Sequence, residues 1–174
     1  YYLDTIIKDQ FEERVLWKRT TYKDGVMDGL YESFHPNGQT GVRENYKLGL
    51  EHGLHEDFLG DFIYIRENYK NGELDGLYEK FYKFSSQLKP RKNYKNGTEE
   101  GLQEEFFDNG QLQEKRNIEN GELVLHQTFD QEGNPLNDLT FTDGKETGVE
   151  VGFYDNGQLL SRENVIEGKR DGLH

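Results

Sequence analysis

Apolar and polar residues alternate along most of this chain, without the three-to-four-residue spacing of an amphipathic helix. Stretches rich in Tyr, Phe, Val and Thr are separated by short turn sequences, for example Asn71-Gly72, Asn96-Gly97 and Asp143-Gly144. Asn-Gly between extended segments is a strong hairpin signal, because both central residues of a type I′ turn need positive φ. The pattern therefore predicts consecutive antiparallel strands, an all-β meander.

The glycine that closes this turn recurs at steps of 23 to 25 residues. The seven positions are Gly25, Gly49, Gly72, Gly97, Gly121, Gly144 and Gly168. A constant period of this length is typical of tandem repeats. We expect one repeat domain over residues 1–174, an elongated single-sheet array of hairpin repeats, with residues 1–11 as an N-terminal cap.

A second turn sequence follows an aromatic residue in several repeats. It occurs at Asn37-Gly38, Asn109-Gly110 and Asn156-Gly157. Treating it as a two-residue turn places Glu32 opposite Arg43 and Gly29 opposite Tyr46. Opposite charges on paired strands attract, and a tyrosine ring can cover the bare backbone of a glycine in the facing strand.

Two repeats have loops of different length, and the same pairings survive in both. Glu56 opposite Arg66 also places Gly53 opposite Tyr69. In the next repeat, Glu79 falls opposite Arg91 and Gly76 opposite Tyr94. Strand alternation then gives two mixed faces rather than the one apolar face of a sandwich, which favours a single sheet.

Charge and composition narrow the classes of function. The formal net charge is −13, with 34 acidic and 21 basic residues. This charge argues against binding to nucleic acid and makes a membrane surface an unfavourable partner. The 22 Tyr and Phe residues argue against disorder. The chain has no cysteine and begins at Tyr1. The compartment stays open: cytoplasmic, or periplasmic or cell-surface if a leader was removed.

Candidate catalytic and metal-binding residues were sought among the histidines and carboxylates. His52 and His55 lie near Glu51, Glu56 and Asp57 in the sequence. The two histidines fall on opposite faces of a strand and occupy ordinary repeat positions. Carboxylate pairs recur because the repeat is copied, so none of them stands out. We expect no enzymatic activity, no metal and no cofactor.

The repeat unit, G-L-Y-E-x-F-x-x-N-G-Q-L-x-x-R-x-N-Y-K-N-G-x-x-D-G, resembles the MORN-repeat variant found in many bacterial proteins. The resemblance covers residues from about 12 to 174, and the repeat at 124–144 departs most from it. It implies a β-hairpin fold and a scaffold that binds proteins. Some proteins of this family are antitoxins of toxin–antitoxin systems, so the resemblance also suggests an antitoxin.

The predicted binding residues are an exposed ladder of tyrosines. They are Tyr31, Tyr46, Tyr69, Tyr78 and Tyr94. The alternative interpretation is that the rings only cover glycines. We expect a protein partner with a basic surface and possible self-association through a C-terminal edge strand at 158–167, which would present unpaired backbone groups. A structural protein of the cell envelope and a peripheral membrane module are the alternatives.

Overall fold

The computed structural model describes residues 2–8, 14–154 and 158–171. The predicted turn at Asn156-Gly157 and residues 9–11 of the predicted cap lie outside these ranges. Every regular element in the described part is a β-strand, as the sequence predicts. The strands are β1 (Tyr2–Lys8), β2 (Arg14–Lys23), β3 (Val26–Phe34), β4 (Thr40–Lys47), β5 (Leu50–Glu51), β6 (Gly53–Leu59), β7 (Phe62–Lys70), β8 (Glu73–Leu74), β9 (Gly76–Phe81), β10 (Leu88–Lys95), β11 (Thr98–Glu99), β12 (Gly101–Phe106), β13 (Leu112–Glu119), β14 (Glu122–Phe129), β15 (Pro135–Thr142), β16 (Lys145–Phe153), β17 (Leu159–Ile166) and β18 (Lys169–Asp171).

The chain divides into two compact units. The first runs to residue 87 and includes residues 94–97, and the second takes residues 88–93 and the chain from residue 98 onward. In the first unit, strands β1 to β9 follow one another as antiparallel neighbours. In the second, β10 pairs with β12, and the strands continue in order to β18. Each unit is therefore a meander of hairpins.

The Asn-Gly and Asp-Gly turns are confirmed as two-residue turns with positive φ at both central residues. At Asn71-Gly72, φ is +54° and +85°, and Asn96-Gly97 and Asp143-Gly144 have the same pattern. Leu48 takes the position of the asparagine in one repeat and still has φ +52°. The turn geometry is thus a property of the repeat rather than of one dipeptide.

The turn that follows the aromatic residue is not a two-residue turn, so that prediction is wrong. At residues 35–39, the Gly38 N–H donates to the His35 carbonyl at 2.8 Å, and only Gly38 within the loop has positive φ. The strand register shifts by one residue between Ser33 and Phe34. This bulge compensates for the longer loop, which is why the pairing predicted farther along the strands is still correct.

The predicted pairings are confirmed for strands β3 with β4 and β6 with β7, while Glu79 opposite Arg91 and Gly76 opposite Tyr94 stay predictions. In the first unit, Glu32 lies opposite Arg43 and Gly53 opposite Tyr69. The second unit shows the same kind of pairing, with the repeat glycine Gly148 opposite Val165. The length differences between repeats are absorbed in loops and bulges, so the cross-strand pairs recur.

The structure gives a reason for the repeated glycine that the sequence pattern did not predict. Gly76 has φ +119°, and a Cβ built on it would meet Cβ of Asn68 at 3.2 Å. The side-chain amide of Asn68 donates to the Leu77 carbonyl at 2.9 Å. Gly53 and Asn45 repeat this arrangement. The positive φ and the close asparagine side chain therefore give a reason for glycine at this position, while its coverage by a tyrosine ring stays a prediction.

Neither unit is organised around a large apolar core. Among the described residues, the buried hydrophobic side chains are Leu139 and Val165, while buried polar residues include Glu56, Glu79 and Gln103. Most other strand residues are half-buried. This agrees with the mixed faces expected from the sequence, and it leaves polar and aromatic side chains available on both faces.

The predicted edge strand at 158–167 is an edge only in part. Strand β17 pairs with β16 on one side, and β18 covers Asn164 to Ile166 on the other. Val165 is 1% exposed. The unpaired backbone of β17 is therefore limited to its first half. Self-association through this strand stays a prediction, and residues 172–174 lie outside the described residues.

Candidate functional site

The predicted tyrosine ladder lies within the first unit, on strands β3, β4, β7, β9 and the end of β10. Its rings are half-buried rather than exposed, which corrects that part of the prediction. Tyr31 and Tyr46 meet edge to face with centroids 6.3 Å apart, and Tyr78 and Tyr94 do so at 6.1 Å. The rings form local pairs, which fixes their orientation. Whether they bind a ligand stays a prediction.

Two of the ladder hydroxyls are held by carboxylates. The Tyr46 hydroxyl donates to Glu44 at 2.7 Å, and the Tyr69 hydroxyl donates to Glu67 at 2.9 Å. Burial, the hydrogen bond and the negative charge of the carboxylate together raise the pKa of Tyr46 and of Tyr69 above the ordinary value. Both hydroxyls are therefore held as neutral hydrogen-bond donors to these carboxylates.

His55 stands where the repeats on either side place a tyrosine, Tyr31 or Tyr78. It lies on β6 directly opposite Glu67 on β7. Its ring lies 5.8 Å from the ring of Tyr69, centroid to centroid. The imidazole therefore takes the place of a ring in the aromatic ladder and brings two nitrogen atoms to this face.

Three carboxylates surround the His55 ring. Nδ1 lies 3.2 Å from Glu51 Oε1 and 3.7 Å from Glu44 Oε1, and Nε2 lies 3.4 Å from Asp57 Oδ1. Burial of the ring opposes its protonation, but the hydrogen bond to Glu51 and the charges of Asp57 and Glu44 outweigh this and raise the pKa of His55.

We call this region the acidic aromatic surface, and we define it by seven residues. They are Glu44, Tyr46, Glu51, His55, Asp57, Glu67 and Tyr69. Within the described part of the chain, no lysine or arginine forms an ion pair with its four carboxylates. The surface therefore carries a local excess of negative charge that a single histidine does not balance.

The equivalent positions in a later repeat show how unusual this surface is. Lys92 stands where Glu44 and Glu67 stand in their repeats, and Glu99 corresponds to Glu51. Lys92 Nζ lies 2.6 Å from Glu99 Oε1, so the charges cancel there. Gln103 replaces the histidine and is buried. The later repeat therefore lacks this acidic excess, which is not a property of the motif.

The opposite face of the first unit carries a continuous ladder of ion pairs. Glu56 lies between Arg43 and Arg66, at 3.4 and 3.2 Å, and Arg66 continues to Glu79 at 3.4 Å. Arg43 pairs also with Glu32 at 3.4 Å. Each glutamate inside this ladder has an arginine on either side, so these carboxylates have a structural role.

A groove of about 690 Å³ in the second unit was also considered as a site. Its carboxylates include Glu114 and Asp130. Glu114 is bound by His126 at 2.8 Å. Asp130 accepts hydrogen bonds from the side chain and backbone of Asn134, which lower the pKa of the Asp130 carboxyl. Glu114 and Asp130 are thus engaged in holding the strands and the loop that line this groove.

The sequence-based search found only some of the acidic aromatic surface. It noted His55 with Glu51 and Asp57, but it grouped them with Glu56, which belongs to the ion-pair ladder on the other face. It missed Glu44 and Glu67. The signal was present, because the predicted register places both glutamates on the face of Tyr46 and Tyr69. It was overlooked because the search considered only residues close in sequence.

The structure is a tandem array of β-hairpins, in which a glycine at a bulge and an asparagine on the neighbouring strand recur. This architecture is that of a class of repeat proteins. The chain matches the MORN repeat variant family at residues 27–47, 99–120 and 146–166. These three segments are therefore MORN-type repeats, and repeats of this type are in general modules that bind proteins or membranes. A search of curated proteins finds no match. Within the described residues there is no helix with the length and apolar character that a membrane span needs.

Proposed function

We propose that this protein is a non-enzymatic binding scaffold whose acidic aromatic surface takes a protein partner with a basic surface. The observation that supports this most is the group of four carboxylates, among tyrosine and histidine rings, without lysine or arginine partners in the described residues. Tyrosine and arginine are both enriched at protein interfaces, and both are frequent among the residues that contribute most to binding.

The electrostatics favour a basic protein over a lipid bilayer. A basic protein gains complementary charge at this surface. An anionic bilayer is repelled by it and by the net charge of −13. A protein partner is thus our first candidate, and membrane binding is the alternative.

The absence of catalysis is part of the proposal. The carboxylates of the ion-pair ladder are paired with arginines, and in the groove of the second unit Asp130 holds a loop and Glu114 contacts a histidine. General acid–base catalysis needs convergent groups in a pocket that admits a substrate. The acidic aromatic surface offers charge and rings on a sheet face instead.

The test is affinity capture from the native organism with three baits. One is the wild type, one is the double variant Glu51→Gln/Asp57→Asn, and the control is Glu119→Gln/Glu122→Gln. Both variants remove two negative charges, but Glu119 and Glu122 are exposed residues of the second unit. We expect a basic protein that binds the wild type and the control and is lost from the first variant.

Two results would overturn the proposal. One is equal capture by all three baits, and the other is binding to phosphatidylserine vesicles in the absence of any protein partner. If the captured protein stops growth when expressed alone, and co-expression of this chain restores growth, the scaffold is an antitoxin. A captured protein without toxicity leaves the scaffold function in place and removes the antitoxin interpretation.

A further inference from the structure

We propose that Glu44, Glu51 and His55 form a binding site for a divalent transition-metal ion such as Zn²⁺. Glu44 comes from β4, Glu51 from β5 and His55 from β6, so three strand segments contribute one ligand atom each. This inference stands on the geometry of the described residues and does not depend on the proposed protein partner.

The spacing of the ligand atoms suits a metal ion. Nδ1 of His55 lies 3.2 Å from Glu51 Oε1 and 3.7 Å from Glu44 Oε1, and the three atoms lie within 4.8 Å of one another. Tetrahedral ligands held about 2.0–2.1 Å from Zn²⁺ are themselves about 3.3 Å apart. An ion between these atoms therefore needs only small side-chain movements.

Asp57 supplies the support that a metal-bound histidine needs. Its Oδ1 lies 3.4 Å from Nε2 of His55, on the side of the ring away from the proposed ion. Histidine ligands commonly donate their second N–H to a carboxylate, which orients the ring and leaves the other nitrogen free to bind the metal. Asp57 is thus a positioning residue, and Nδ1 is the ligand atom.

The donor set and its setting favour a cation of this class. One imidazole with two carboxylates suits zinc and its neighbours better than calcium or magnesium, which prefer oxygen ligands alone. The side chains of His55 and Glu44 are each only 16% exposed, and that of Glu51 is 30% exposed. In this half-buried site two like charges lie close together, so a bound cation relieves their repulsion.

The site departs from the repeat pattern at two of its three ligands. The residues equivalent to Glu44, Glu51 and His55 are Glu67, Leu74 and Tyr78 in the following repeat. They are Lys92, Glu99 and Gln103 in the next, where the lysine pairs with the glutamate at 2.6 Å. Neither repeat offers a second such set, so the expected stoichiometry is one ion for each chain.

The experiment is a calorimetric titration of the tag-free full chain, freed of metal by a chelator, with zinc chloride. We expect saturable binding of one Zn²⁺. His55→Tyr and Glu51→Leu install residues that the repeat itself uses at these positions, so they are mild toward the fold. Each should weaken binding by at least about tenfold, and Asp57→Ala by about 10–100-fold.

The matched control is His126→Gln. Nε2 of His126 lies 2.8 Å from Glu114, and among the described residues His126 is not part of a group of three ligands. This variant should bind zinc as the wild type does. Cobalt(II) should give visible absorption bands of a low-coordinate site in the wild type and lose them in His55→Tyr.

Three results would overturn the assignment. The first is no stoichiometric zinc binding by the wild type, and the second is equal binding by the wild type and His55→Tyr. The third is a loss in His126→Gln as large as the loss in His55→Tyr. Circular dichroism of each variant checks the fold. Should His55→Tyr unfold, Glu51→Leu alone decides, by losing or retaining the bound ion.

Discussion

Replacing Gly76 by alanine tests why a glycine begins β9. The backbone has φ +119° there, and holding an L-residue in such a conformation costs roughly 1–3 kcal/mol. The added Cβ would also lie 3.2 Å from Cβ of Asn68, whose amide closes the bulge at the Leu77 carbonyl. We expect Gly76→Ala to lower the free energy of unfolding by about 1–3 kcal/mol, measured by urea denaturation and circular dichroism.

Two further glycines provide the comparison. Gly53→Ala has a φ of +100° but places its Cβ 3.6 Å from Cβ of Asn45, an ordinary contact, so its cost should be smaller. Gly41 lies in a strand without positive φ, and its added Cβ would meet the movable His35 ring. Gly41→Ala should be neutral or stabilising by about 0.4–1 kcal/mol. If Gly41→Ala costs as much as Gly76→Ala, the positive φ is not the reason for the glycine.

Four other changes test the fold and its association. Leu48 has φ +52° and is 74% exposed, so Leu48→Asn should raise the free energy of unfolding by roughly 1 kcal/mol; an unchanged melting temperature would contradict the turn assignment. Asn68→Ala removes the donor to the Leu77 carbonyl and should cost about 1 kcal/mol in urea denaturation; wild-type stability would show that the bulge does not need it. Glu56→Gln should cost about 1 kcal/mol at low salt and less at high salt, and a salt-independent cost would exclude the ion pairs as its cause. Light scattering at high concentration should show self-association that Leu160→Lys weakens, because a charge blunts the unpaired half of β17; a strictly monomeric wild type would refute that interface.

The strand register could be predicted because several independent signals agree. The same alignment of neighbouring strands follows from the turn dipeptides, from the fixed period and from recurring pairs such as Glu32–Arg43. The three-residue loop at residues 36–38 was not predicted, since the bulge in the strand pair offsets the one extra residue of the loop. Far from the loop, a two-residue turn and a three-residue loop with a bulge give the same strand alignment. The sequence pattern therefore cannot distinguish these two kinds of connection.

The role of the glycines and the composition of the candidate site were harder to predict. Positive φ at Gly53 and Gly76 depends on a hydrogen bond from an asparagine on the neighbouring strand, and a pattern of apolar and polar residues does not encode it. The cluster around His55 combines residues from adjacent strands. The cluster can be recognised only when the strand register is used to find residues that differ from the repeat consensus and are neighbours across strands.

The central claim is that the acidic aromatic surface binds a basic protein. Its most direct test is the affinity of the captured partner for purified wild type, for Glu51→Gln/Asp57→Asn and for Glu119→Gln/Glu122→Gln, measured by calorimetry at low and high salt. We predict that the first variant binds at least about tenfold more weakly at low salt, because close interfacial charge pairs are lost, while the second binds as the wild type does. Equal affinity of both variants at low salt would contradict the account, because screening is weakest there.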